Sequence, residues 1–395
     1  MRRLFILAAI ALTACSAKAP LSLEVVRSEM ARNPEASYID GLNGKLKWNY
    51  TTGLELKAFL DAAFASGVSS AETQKSSILS YVDSWYDAII NEDGTIGANY
   101  KKSNYSTDHI CPGKTLFTLY DLTGKEKYRK AMDNLYAQIL EQPRTPEGGF
   151  WHKKVYPDQM WLDGLYMAQP FYAEYTARYV PDSLKAASFA DIAHQFTLVA
   201  DHTHDPATGL YRHAWDSSRE MFWCDPSTGQ SAHAWGRALG WYVMAIVDVL
   251  PFIPEGTPGR DRMIEILRGI ARQLPEYADP ATGMWYQVLD RPGQEGNYVE
   301  ATASAMFIYA MLKGSRNGWL DCADYARTCY RQLLKTFVTR EDGLVNLNRC
   351  CEVAGLGGKE NRSGTYDYYI NEKIRSNDPK GIGPLIWAAL EYERK

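Results

Sequence analysis

The sequence predicts an all-α fold: an (α/α)6 barrel, a double ring of helical hairpins with short turn or strand segments at the end that carries the site. Three observations point there. Segments of acidic or Pro residues, then a Gly, then a short extended stretch recur at a spacing of roughly 50–75 residues, room for two helices per unit. The stretches between them space their apolar residues at helical intervals. Strands and helices do not alternate as they would to build a parallel sheet.

The repeats run in order along the chain. "YIDGLNGKLKWNY" (38–50) reads as the first copy, followed by "NEDGTIGANY" (91–100), "TPEGGFWHKK" (145–154), "DPATGLYRHAWD" (205–216), "DPATGMWYQVLD" (279–290) and "REDGLVNLNRC" (340–350). In each, the Gly suits a turn with positive φ. Helices are expected over "AETQKSSILSYVDSWYDAII" (71–90), "GKEKYRKAMDNLYAQILEQ" (124–142), "SLKAASFADIAHQFTLVADHT" (183–203) and "GRDRMIEILRGIARQLPEY" (259–277). One more starts at Pro112 and ends at Gly124. With all turns at one end the hairpins close into a ring with apolar inner helices; the alternative is an open helical solenoid with a binding groove.

The N-terminal "MRRLFILAAIALTAC" has two Arg, an apolar stretch too short to span a bilayer, and small residues before Cys15. "LTAC" resembles a bacterial lipobox, whose Cys is lipidated and becomes the new N-terminus. The expected organisation is a lipoprotein signal peptide over 1–15, a tether over 16–35 and one catalytic barrel domain over 36–395. The protein is then exported and held to the membrane by its lipid anchor alone, at the periplasmic or cell-surface side of a bacterium.

The 395 residues are 46% hydrophobic, ample for a large core, and the net charge of −4 gives no pull toward nucleic acid. With 11 Trp and 26 Tyr, some rings could line a sugar cleft, stacking on apolar sugar faces, while others pack the core. Six cysteines follow Cys15 without naming a disulfide connectivity. No paired CxxC suggests zinc, and "HTHDP" (202–206) reads more simply as a polar loop than as metal ligands. Dinucleotide and phosphate loops and serine nucleophile elbows are absent, so neither a cofactor nor a metal is called for. Nothing in the sequence signals an oligomeric state.

Four segments carry candidate chemistry. In "DQMWLDGLYMAQPF" (158–171), Asp163 is the single carboxylate in an apolar run. A carboxylate partly stripped of water favours its neutral form, which suits a general acid; a surface or hydrogen-bonded core Asp is the plainer alternative. In "STDHICPGK" (106–114), Asp108 precedes a helix, as a cap or as a second acid facing Asp163 across a barrel mouth. "HAWD" (213–216) brings His213, and "HAWGRALGW" (233–241) sets Trp235 and Trp241 around Arg237, which can grip a carboxylate or make a structural pair.

Together with "NDPKGIGPLIWAALE" (377–391), these segments resemble glycoside hydrolase family 105, the unsaturated rhamnogalacturonyl hydrolases, relatives of the unsaturated glucuronyl hydrolases. The resemblance spans nearly the whole chain after the signal and implies the same six-hairpin barrel. It makes Asp163 the general acid/base and Asp108 the second site acid. It makes His213, Arg237, Trp241, Trp161, Lys153 and Tyr50 substrate-binding residues, to which Trp235 is added as a ring beside Arg237 that can stack on a sugar. The implied substrate is an oligosaccharide left by a polysaccharide lyase. It ends in a 4,5-unsaturated uronic acid, most simply unsaturated galacturonic acid, which is removed by hydration of the double bond. Ala238–Leu239 departs from the Gly–Asn often found in relatives. The competing expectations are an ordinary inverting glycosidase using Asp163 and Asp108 on saturated glycans, a polysaccharide lyase, and a non-catalytic sugar-binding lipoprotein.

Overall fold

A computed structural model describes residues 19–65 and 71–394. In chain order its helices are α1 (Leu21–Arg32), α2 (Tyr50–Phe64), α3 (Glu72–Ile89), α4 (Gly113–Thr123), α5 (Glu126–Leu140), α6 (Leu162–Tyr179), α7 (Asp182–Thr203), α8 (Gly236–Val249), α9 (Arg260–Gln273), α10 (Ala301–Arg316), α11 (Ala323–Phe337), the short α12 (Tyr366–Ile370) and α13 (Pro379–Glu393). The even-numbered helices from α2 to α10, together with α13, pack side by side, and α13 returns to α2, closing an inner ring. Helices α3, α5, α7, α9 and α11 each back onto the inner helix that precedes them.

Burial explains the sorting. In α8 every residue but Asp248 is buried, and in α10 all but three are; a helix apolar all round must be enclosed. In α9 and α11 only a stripe is buried, such as Met263, Ile266, Leu267 and Ile270, or Ala326, Cys329, Tyr330 and Leu333. The expected helices are found within a few residues of their predicted bounds. Helix α4 follows Pro112 and ends on Gly124 in the left-handed region.

The sequence-predicted tether is corrected. Residues 21–32 form α1, which packs on α13 as the outer helix the last hairpin would otherwise lack. Leu23, Val25 and Val26 are fully buried, and Ser22 Oγ donates to Glu393 Oε2 at 2.6 Å. A helix with that apolar face cannot remain in solvent when the ring offers an uncovered inner helix. The barrel therefore begins at residue 21, not 36. The signal peptide and Cys15 lie outside the described residues.

The repeats are the turns at the site end. Gly94, Gly148, Gly209, Gly283 and Gly343 have φ between +69° and +91°. Around the first four, single bridges pair Ile90 with Ile96, Arg144 with Phe150, His204 with Tyr211 and Ala278 with Trp285. Around Gly343 the turn joins two short strands, β3 (Val338–Glu341) and β4 (Leu344–Leu347), numbered after β1 (Gln159–Trp161) and β2 (Ala214–Asp216). The first copy differs: residues 36–41 form a 3-10 turn with Asp40 at φ +61°. After each turn the chain crosses the ring mouth and enters the next inner helix, so all inner helices start at one end. The cysteines of the described residues are free thiols.

Candidate active site

The loops preceding α2, α4, α6 and α8 bring the candidate residues to the mouth of the inner ring. Strands β1 and β2 pair antiparallel, with Trp161 opposite Ala214. Leu162 N donates to the His213 carbonyl at 3.1 Å, so the entry to α6 is tied to the loop that carries His213. Asp163 occupies the first turn of α6, with its side chain 14% exposed, and its Oδ2 lies 3.2 Å from His213 Nε2. The two approach without the alignment of a hydrogen bond. His213 is fully buried, and its Nδ1 lies 2.7 Å from the Tyr369 hydroxyl. Burial pushes the Tyr369 phenol well above its ordinary value, so it stays neutral. When it donates to Nδ1, the His213 proton resides on Nε2, facing Asp163.

Asp108 lies in a 3-10 turn just before α4, with Oδ2 2.5 Å from Lys153 Nζ and Oδ1 3.7 Å from His152 Nε2. Burial, the largest single influence, would raise the Asp108 carboxyl, but Lys153, His152 and His109 together outweigh it and hold it below the usual carboxylate range. The Lys153 ammonium is raised in turn, Asp108 overcoming its own burial. His152 is pushed down to about 4, chiefly by burial, and is neutral near pH 7. Its proton sits on Nδ1: the single Thr107 hydroxyl proton goes to the His152 carbonyl at 3.0 Å, so Thr107 Oγ1 accepts from Nδ1–H at 3.1 Å. Nε2 therefore presents a lone pair beside Asp108 Oδ1. Two acceptors 3.7 Å apart suit a water that donates one proton to each.

Aromatic rings join the two acids. Trp161 stacks on His152 with centroids 4.6 Å apart and on Tyr156 at 5.0 Å, and meets His213 edge-on at 5.3 Å. Tyr50, half-buried at the start of α2, stands edge-on to Trp241. Burial raises its phenol well above the ordinary value. Tyr50 and Asp108 also line a cavity of about 400 Å³ with Trp48, His109, Arg375 and Lys380; Asp163 is not among its lining residues.

Trp235, Arg237 and Trp241 lie behind the surface, each about 1% exposed. Trp235 Nε1 donates to Gln287 Oε1, and Trp241 stacks on Tyr166. The Arg237 guanidinium packs on the Trp235 ring and donates to the Cys351 carbonyl rather than to a carboxylate; its Nε has no acceptor among the described residues. It is held charged against its burial by the groups around Cys351, Asp378 and Glu300. Ala238 and Leu239 are fully buried in α8. Asp216 accepts the backbone N–H groups of Ser218, Glu220 and Met221 and organises a turn. His202 stacks on Trp215 and lies 3.0 Å from Glu147. His152, Tyr369, Thr107 and Tyr156 escape sequence reading. His152 neighbours the selected Lys153 in "FWHKK", whereas Tyr369 arrives from the distant short helix α12, which no motif marks.

A closed ring of helical hairpins, with two acids and stacked rings at one mouth, defines a carbohydrate-processing enzyme of the helical-barrel class. The sequence profile described as Glycosyl Hydrolase Family 88 matches residues 21–395, and the chain belongs to this family and its family 105 relatives. It is 43% identical to a glycoside hydrolase of family 105 from C. acetobutylicum ATCC 824, covering 94% of this chain and 99% of that one with a TM-score of 0.86. It is 41% identical over 241 residues to Protein Atu3128 of Agrobacterium fabrum, covering 57% of this chain and 97% of that protein. The unsaturated rhamnogalacturonyl hydrolase YesR of Bacillus subtilis is 28% identical over 255 residues, 62% of this chain and 66% of its own. The protein is a glycoside hydrolase.

Proposed function

We propose that the protein removes a 4,5-unsaturated uronic acid, most simply unsaturated galacturonic acid, from the non-reducing end of lyase-generated oligosaccharides. The observation that carries the reading is Asp163 at the head of α6, 3.2 Å from His213 Nε2 and beside the stacked Trp161. The protonated Asp163 gives its proton to C4 of the enol ether, and positive charge develops at C5 and the ring oxygen. A water adds at C5 and returns a proton to Asp163. The resulting hemiketal opens, C5 becomes a ketone, and the aglycone leaves from C1 as an alcohol. One residue acts as acid and then as base, so no second proton donor is consumed. Asp108, kept ionised by Lys153, stabilises the developing charge and, with His152, orients the water. Lys153 and the Tyr50 phenol are the polar groups at the mouth that suit a uronate, and Arg237 adds positive charge from beneath.

The similarity to YesR, an unsaturated rhamnogalacturonyl hydrolase, supports a pectic substrate. The leader supports export with Cys15 lipidated; palmitate labelling should be lost in Cys15→Ala. Incubation with lyase-generated pectic oligosaccharides should abolish the ultraviolet absorbance of the conjugated alkene, release the aglycone and, in D2O, place one deuterium at C4. Asp163→Asn should lower kcat by about 10²–10⁴-fold. Near-normal turnover in that variant would sink the mechanism. The presence of an ionised second acid also fits an ordinary inverting glycosidase, which would cut saturated glycans without labelling C4. A rise in absorbance on intact polysaccharide would mean a lyase.

A further inference from the structure

Behind the site, the bore of the inner ring is filled by a column of rings: Tyr50 edge-on to Trp241, then Trp241 stacked on Tyr166 at 4.8 Å. Lys114 closes the column, its Nζ 3.5 Å from the Tyr166 centroid. Beyond it lies a second cavity of about 170 Å³, toward the C-terminal ends of the inner helices. Three acids line it, and each has a cation of its own. Asp61 pairs with Lys57 at 2.5 Å and also accepts from Trp387 Nε1. Asp248 pairs with Lys313 at 2.6 Å and accepts the Tyr309 hydroxyl at the same distance. Glu174 pairs with Arg178 at 2.6 Å.

Lys114 is the cation left over. It is 6% exposed and lines the cavity; no carboxylate or other oxygen accepts from its ammonium among the described residues, and its one polar neighbour is the weakly accepting Cys111 sulfur. A buried ammonium without an oxygen acceptor is costly, and the face of Tyr166 meets only part of that cost. Burial, helped by Lys57, works against its charge and outweighs Cys111 and Asp248, which favour it, so the net direction is down.

We propose that this cavity binds a small inorganic anion, a halide or an oxyanion of phosphate size, with Lys114 as its principal ligand and Lys313 and Lys57 flanking it. The bound anion would neutralise the one unpaired charge and brace the inner ring at the end opposite the catalytic mouth. The volume suffices, since a water occupies only about 30 Å³ of liquid. This site is independent of the reading of the catalytic mouth.

The test is thermal unfolding of the full protein at constant ionic strength, gluconate being exchanged stepwise for chloride in one series and for phosphate in another. A saturable rise in Tm of about 2–4 °C is expected with at least one of the two, and its loss in Lys114→Met. Asp248→Asn, which frees Lys313, should lower the anion concentration at half-effect. Bromide-soaked wild-type crystals should show an anomalous peak in contact with Lys114 Nζ, a readout that survives if Lys114→Met does not fold. Chloride alone acting identifies a halide site, and phosphate alone an oxyanion site. No saturable response to either, or an equal response in Lys114→Met, would overturn the proposal, as would a bromide map with no peak at Lys114 when chloride is the anion that raises Tm.

Discussion

Asp108 and Asp163 share one mouth but not one environment. Asp108 is held by an ammonium at 2.5 Å, so its charge is fixed; Asp163 faces an imidazole edge and rings, with no cation in contact. That difference is what the proposed mechanism uses, with one acid stabilising charge while the other moves a proton. His152 makes the pair sensitive to pH. Its folded value lies near 4 against 6.5 in the unfolded chain, so between these values the unfolded chain binds the extra proton. Stability therefore rises with pH across this window and is lost as pH falls from 6.5 toward 4, by on the order of 3 kcal/mol. The lowered Asp108 acts in the same sense at more acid pH, since its contribution disappears as its carboxylate is protonated. His152→Asn, which keeps a donor for Thr107, should flatten the dependence of Tm on pH between 4 and 6.5.

The unit that builds the mouth is the turn at the head of each repeat. Gly94 shows why its residue type is needed: φ is +83°, and a Cβ would stand 2.7 Å from the Lys130 backbone carbon and 2.9 Å from Ala131 N, on α5. Gly94→Ala should cost about 1–3 kcal/mol in chemical denaturation, while Asp163-dependent chemistry on folded protein is retained. The repeat was legible because each copy carries a Gly after acidic residues. The use of each copy was not. The stretch after the third copy pairs with the end of the fourth, β1 with β2, and that pairing is what sets Asp163 beside His213. Strand partners 55 residues apart leave no periodic trace in the chain.

Across the whole molecule, the ring closes through its N-terminus. Helix α1 covers α13, and truncation to residue 34 would remove the buried Leu23, Val25 and Val26 and expose the face of α13 they cover. At about 1.5–3 kcal/mol per side chain the loss approaches the total stability of a typical domain. The truncated chain should be insoluble or unfold at least about 10 °C lower by calorimetry. Its N-terminal helix was read as a tether because its apolar residues, taken alone, are few; their burial follows from the position of α13, nearly the full chain length away.

The sequence by itself determined the helical class, the repeat and the bounds of most helices, and it singled out Asp108 and Asp163 as candidates. Each of these depends on local periodicity, a turn Gly, or a charge set among apolar residues, which neighbours along the chain reveal. The tertiary structure decided what depends on distant segments. It moved Trp235, Arg237 and Trp241 from the expected sugar-facing surface to the buried wall behind it. It brought Tyr369 to His213 across 156 positions and recruited His152 beside Asp108. It also left Lys114 alone among paired charges at the far end of the bore. Burial and pairing are sums over the whole enclosing ring, and no single segment contains them.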